Sequence, residues 1–270
     1  MTSSFRPKLW LGLGLCVLAP GAVGDAAAQP AGAPPALEDG EGGEGGEGGE
    51  GGIEADRAAT DPVAFLGALD VIAAHVLAAR DAYAAGEAQA AGELFAHPIA
   101  EVYVGMEPVF AALGVSPFRD DMQRASDLAL DHAPAPQVAA AAATVLDALR
   151  AAEARTPGRG ATPRAQAAAV ANMLDRASLQ HAAAARDPAA LEPYLDGYGL
   201  LQAARWRAER ALPALDGPER AEDVQAIRST LDTVARAYPS PVLPQGPSPV
   251  PSGELLAQTG RLKLRLGSGE

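Results

Sequence analysis

The sequence predicts an all-α fold, a multi-helix up-and-down bundle or a pair of them. Three observations carry the prediction. Alanine, the strongest helix former, fills 63 of the 270 positions. Large apolar residues recur at helical spacing, and strand-like alternation is almost absent. Proline stands repeatedly where a periodic stretch begins, the first helical position, where its missing N–H costs nothing.

Residues 1–28 predict a secretory signal peptide. Arg6 and Lys8 precede an apolar run from Leu9 to Gly24 that is too short for a comfortable membrane span. Small residues permit cleavage after Gly24 or after Ala28, the second preferred, and either cut removes Cys16. The rival reading, a lipoprotein signal acylated at Cys16, asks for a small residue where Leu15 stands. The expected location is periplasmic or secreted, with no membrane span once the signal is removed. A mature chain without cysteine has no disulfide, which suits a periplasm-like space.

Residues 29–60 predict a disordered linker. Its centre, GEGGEGGEGGEGG at 40–52, places Glu41, Glu44, Glu47 and Glu50 at a three-residue period. Backbone freedom and carboxylate repulsion make this an extended, solvated tether. Weak capture of divalent cations is the functional alternative, but calcium-type sites need oxygens held in place.

The helical domain is expected over 61–238. Asp61-Pro62 supplies a cap and a first-turn proline, and Phe65, Leu69, Ile72, Val76 and Ala79 then follow a helical period to about Ala84. Gly86 breaks that helix. A second runs from Glu87 to about Ala96, and Pro98 either kinks it or opens a third that reaches Leu113. Further helices are expected at about 117–131, 136–154, 162–185, 188–214 and 218–237. Each begins at a proline, in Ser116-Pro117, Ala135-Pro136, Thr162-Pro163, Asp187-Pro188 and Gly217-Pro218. Residues 239–270 read as a proline-rich strap and a docking tail. PSPVLPQGPSPVPSG cannot continue a helix, and Leu262, Leu264 and Leu266 alternating with Lys263 and Arg265 suggest a short strand or a docking tail.

Charge and motifs exclude several functions. The formal net charge is −13; removal of Arg6 and Lys8 leaves 19 of 21 bases against 34 acids, a net −15. Nucleic acids and anionic membranes reward the opposite sign. No G-x-S-x-G, P-loop or dinucleotide fingerprint occurs, and Gly12-Leu13-Gly14 lies in the leader. Beyond the leader there is no thiol and a single lysine, Lys263, so covalent catalysis by either is not expected and no catalytic residue is assigned.

Chemistry is then left to four histidines, His75, His97, His132 and His181. Around a turn at Gly86, His75 lies eleven residues before and His97 eleven after. At 1.5 Å per residue both sit about 16 Å from the turn, level on adjacent antiparallel helices. Glu93 and Glu101 lie four residues either side of His97, on one stripe if the helix is continuous. Helix bundles build metal sites from imidazoles and carboxylates on facing helices. The expected metal group is therefore His75, His97 and Glu101 with Glu93 in reserve, holding a transition metal ion, iron or copper first. The bland alternative is a hydrogen-bonded histidine pair with solvent-facing glutamates.

The remaining candidates read more plainly. His132, in DHAPAP, is expected in a turn, and His181 favours the negative end of its helix. Glu192, Tyr194, Asp196 and Tyr198 would bring oxygens toward His181 or add ligands to the first group. Arg205, Arg207 and Arg210 beside Trp206 form either an anion site or, preferably, surface pairs with Glu209 and Asp216. The segment AARDAYAAGEAQAAGELFAHP has the spacing of one tetratricopeptide-like hairpin without a second copy.

Taken together, the leader, acidic tether, histidine-bearing helices and proline-rich strap resemble exported bacterial all-helical proteins of the imelysin-like kind, associated with periplasmic iron uptake. In that family a His and a Glu spaced H-x-x-E belong to a metal-associated site. Here His97 and Glu101 are spaced H-x-x-x-E, and no glycine precedes the His. The resemblance implies an exported metal-associated helical protein. Two other classes stay open: an accessory or scaffold that binds another envelope protein, and a hydrolase using metal-bound water with Glu101 or Glu93 as base.

Overall fold

The structure is a computed structural model that describes residues 54–267 apart from 188, 190 and 216. The predicted signal peptide, its cleavage sites and the Gly/Glu repeat lie outside these residues. Among the described residues every regular element is helical. One turn, α1 (Ala55–Ala58), already forms within the range expected to be linker.

The long apolar helix α2 (Pro62–Ala84) is the centre of the fold. The Asp61 carboxylate caps it, accepting from the amides of Val63 at 2.8 Å and Ala64 at 3.4 Å. At its other end Gly86 adopts φ +96°, and Glu87 N–H donates back to the Ala82 carbonyl. That reversal sends α3 (Ala88–Pro98) back along α2. By length and composition α2 is apolar enough to cross a membrane, but most of it is buried by α3, α6, α7 and α8.

After Pro98 the chain neither breaks nor turns away. It widens into a single π-helical turn, Ile99–Tyr103, and continues as α4 (Val104–Ala112). Proline has no N–H for the preceding turn and its ring crowds the carbonyl there, and a wider turn relieves both. The expected kink or new helix is thus a continuous helix with one expanded turn.

Helices α5 (Arg119–Leu130) and α6 (Ala135–Glu153) form a hairpin that covers α3 and α2. His132 lies between them at φ +54°, in the turn as expected. Helices α7 (Pro163–Ala184) and α8 (Leu191–Ala214) make the other wall, and α9 (Ala221–Ala237) closes against both.

The C-terminal stretch corrects the strand expectation. Ser252–Gly267 is a helix, α10, packed on α7 and α9. Its buried residues, Leu255, Thr259, Leu262 and Leu266, are spaced four, three and four, whereas Leu264 is exposed. Three ion pairs hold its polar face, Lys263 to Asp175 at 2.6 Å, Arg265 to Asp223 at 2.5 Å and Arg265 to Glu222 at 3.0 Å. The proline-rich segment before it is irregular and tied inward at two points. The Tyr194 hydroxyl donates to Ser240 O at 2.8 Å, and His181 Nε2 donates to Val250 O at 3.0 Å.

The arginines around Trp206 also depart from expectation. Arg207 is fully buried and grips Asp70 of α2 with two guanidinium nitrogens, Nη2 to Oδ1 being 2.6 Å. Its third nitrogen donates to Glu153 Oε1 at 3.1 Å and to Gln166, so α2, α6, α7 and α8 meet at one ion cluster. Burial pushes Asp70 up and the guanidinium opposes it; two-point contact to both oxygens is the geometry of an ionised pair. Arg210 pairs with Glu153 at 2.9 Å and stacks 4.3 Å over the Trp206 ring. Arg207 thus answers to the bundle interior, whereas Arg205 is exposed as expected and Asp216 lies outside the described residues.

Candidate metal centre

Three expected residues converge. His75 on α2, His97 on α3 and Glu101 on the π turn each offer a ligand atom, all within 4.8 Å of one another. The two imidazoles stand edge to face, 6.1 Å between centroids. The antiparallel α2/α3 hairpin sets this level, since both histidines lie eleven residues from Gly86. Continuity through the π turn keeps Glu101 on the His97 side, where a break at Pro98 would have swung it away.

Hydrogen bonding fixes which His75 nitrogen faces the site. Nδ1 lies 2.9 Å from the Val71 carbonyl, which only accepts, so Nδ1 carries a proton. Nε2 then faces Glu101 Oε2 at 3.4 Å and Asp196 Oδ1 at 3.9 Å. Burial pushes His75 below the ordinary histidine value and outweighs the Val71 bond and the Glu101 charge, which pull it up. In the neutral ring Nε2 presents a lone pair toward the Glu101 and Asp196 carboxylates, and the Arg176 guanidinium and Gln180 amide border the same space.

The space beside His75, Glu101 and Asp196 is a cavity of about 40 Å³ walled by apolar Val71, Ala74, Leu195 and Leu200 and bordered by two donors, Arg176 and Gln180. One water requires about 10–15 Å³, so it admits roughly three water-sized guests. Two ligands that share an ion at about 2.1 Å each stand at most about 4.2 Å apart. The His75 to Glu101 and His75 to Asp196 separations already satisfy that limit. The widest edge of the triplet, at most 4.8 Å, needs to close by no more than about 0.6 Å.

The other candidates fall elsewhere. Glu93 is exposed, accepts from Gln89 Nε2 at 2.7 Å, and lines a separate cleft with His97 rather than joining the triplet. Asp196 comes to His75 and not to His181, whose neighbours are Val250 O and the Tyr238 ring at 5.8 Å. Tyr194 stacks on Tyr238, and Tyr198 donates to Asp81 at 2.9 Å; burial, then the Asp81 charge, push the Tyr198 phenol up. Sequence reasoning placed Asp196 among several oxygens with two possible destinations. Only the approach of α8 to α2 selects one, and no local signal encodes it.

Compared with known protein families, curated proteins and solved structures, the chain matches none.

Proposed function

We propose that this is an exported protein that binds a transition metal ion, iron or copper first, in the bundle interior, through His75, His97 and Glu101 with Asp196 as a fourth oxygen. One observation supports this most strongly. His75, His97 and Glu101 each offer a ligand atom within 4.8 Å of one another at one level of the bundle, with Asp196 3.9 Å from His75. Two imidazoles with one or two carboxylates suit borderline metals, iron, copper and zinc among them, better than calcium or magnesium. The Val71 carbonyl on Nδ1 is the outer partner that orients a metal-binding histidine and raises its basicity. A periplasmic location and an imelysin-like relationship accord with this reading, and cell fractionation tests the location.

The experiment is calorimetric titration of the purified protein with Fe, Cu, Zn and Mn ions. Wild type is expected to bind at least one with a single site, and His75→Ala/His97→Ala to lose that site. Equal affinity of both proteins for all four ions overturns the reading.

A further inference from the structure

His97 borders two spaces. On one side it stands with His75 and Glu101 in the ligand triplet; on the other it lines a cleft of about 210 Å³ with Glu93, Glu192, Leu94, Leu191 and Leu195, and Leu195 also walls the inner cavity beside His75 and Glu101. Among the described residues neither ring nitrogen of His97 has a hydrogen-bond partner. A half-buried imidazole without a bond is free to offer one nitrogen to either side. The two carboxylates at the cleft are exposed.

The two spaces differ in what they hold. By the same water-sized measure, the inner cavity fits an ion with one or two waters, whereas the cleft fits an ion with its complete first shell of about six. A hydrated cation therefore fits the outer space whole and reaches the inner one only after most of its waters have been exchanged for protein atoms. Apolar Leu94, Leu191 and Leu195 beside the carboxylates strengthen their field on an approaching cation, since low-dielectric walls focus charge.

We propose that this cleft is the loading route of the metal centre: Glu93 and Glu192 attract the free hydrated cation, and His97 takes it over as the first inner ligand. The inference rests on the metal-binding reading and adds where the ion comes from and in what form, as an aqua ion rather than a bulky chelate. It gives Glu93 an outer role in place of an inner ligand.

The test is stopped-flow mixing of the purified protein with Cu(II) in a weakly coordinating buffer at low salt, read by the copper absorption band, with release timed by excess chelator. Glu93→Gln/Glu192→Gln, both at exposed positions, is compared with wild type after thermal melts establish that it folds. We expect the double variant to bind about tenfold more slowly, its release rate to change less than twofold, and the bound spectrum to match wild type. The gap in binding rate should close near 0.5 M salt, where the Debye length is a few ångströms. Equal binding rates at low salt overturn the loading route while the centre stands. An altered bound spectrum overturns it too, by making these carboxylates ligands. No equilibrium binding of Cu(II) by wild type overturns the route, and the same result with Fe, Zn and Mn overturns the centre as well.

Discussion

Gly199 on α8 approaches α2 so closely that a Cβ placed on it would stand 2.4 Å from the Ala74 carbonyl oxygen, one residue before His75. That contact fixes how near α8, and with it Asp196, lies to the histidine. Gly199→Ala gains about 1 kcal/mol of helix propensity but faces a backbone atom that cannot rotate aside, an overpacking cost of about 1–3 kcal/mol. We expect a net loss of stability in urea unfolding and weaker metal binding. Gly67→Ala, where a Cβ meets nothing within 4 Å, is the contrast and should be neutral or stabilising.

Acid should destabilise the metal-free protein through His75. Its folded-state pKa lies below the ordinary value of 6.5 because burial disfavours the charged ring. The unfolded chain therefore takes up a proton first as pH falls, and stability rises with pH wherever the unfolded state holds more protons. Denaturation midpoints are expected to be flat above about pH 7 and to fall as pH drops through 6.5 and below. His75→Asn should flatten that fall; an unchanged slope contradicts the assignment.

Arg207 presents the largest single risk to stability. Arg207→Met leaves the Asp70 carboxyl buried without its partner, and breaking such a pair costs about 3–5 kcal/mol. Asp70→Leu/Arg207→Met removes both charges and is expected to recover most of that loss. Chemical denaturation of the three proteins measures it.

Tyr238 joins α9 to α7 through its hydroxyl, which donates to Ala177 O at 2.7 Å in a buried setting. Tyr238→Phe keeps the ring and is expected to cost about 1 kcal/mol. Its effect on metal affinity should be smaller than that of His75→Ala, since the hydroxyl donates to Ala177 O and meets Asp196 only through its charge. Calorimetry alongside urea melts checks both.

Much of the architecture is legible in the sequence, and the physical reasons are local. Pro62, Pro136 and Pro163 mark helix starts because proline tolerates only the first turn, and Gly86 marks a reversal because it accepts positive φ. The level of His75 and His97 follows from counting residues about that glycine. What fails is equally specific. Leu262, Leu264 and Leu266 suggest strand alternation only if Leu255 and Thr259, a helical turn or two earlier, are ignored. The Arg207 to Asp70 pair joins residues 137 apart, and the Asp196 approach to His75 crosses from α8 to α2; neither leaves a trace in local pattern. The π turn hides because Pro98 announces a disturbance without saying that the helix survives it.

The widened turn at Ile99–Tyr103 also has a bearing on descent. It accommodates one residue more than an ordinary turn would, so loss of a single codon, that of exposed Ala100 for instance, would restore a regular helix and swing the following carboxylate by about 100° around its axis. Lineages that share this scaffold but lack the extra residue would keep the body and move this carboxylate away from the two histidines, which makes an insertion or deletion here, rather than a point substitution, the mark to seek in any related gene.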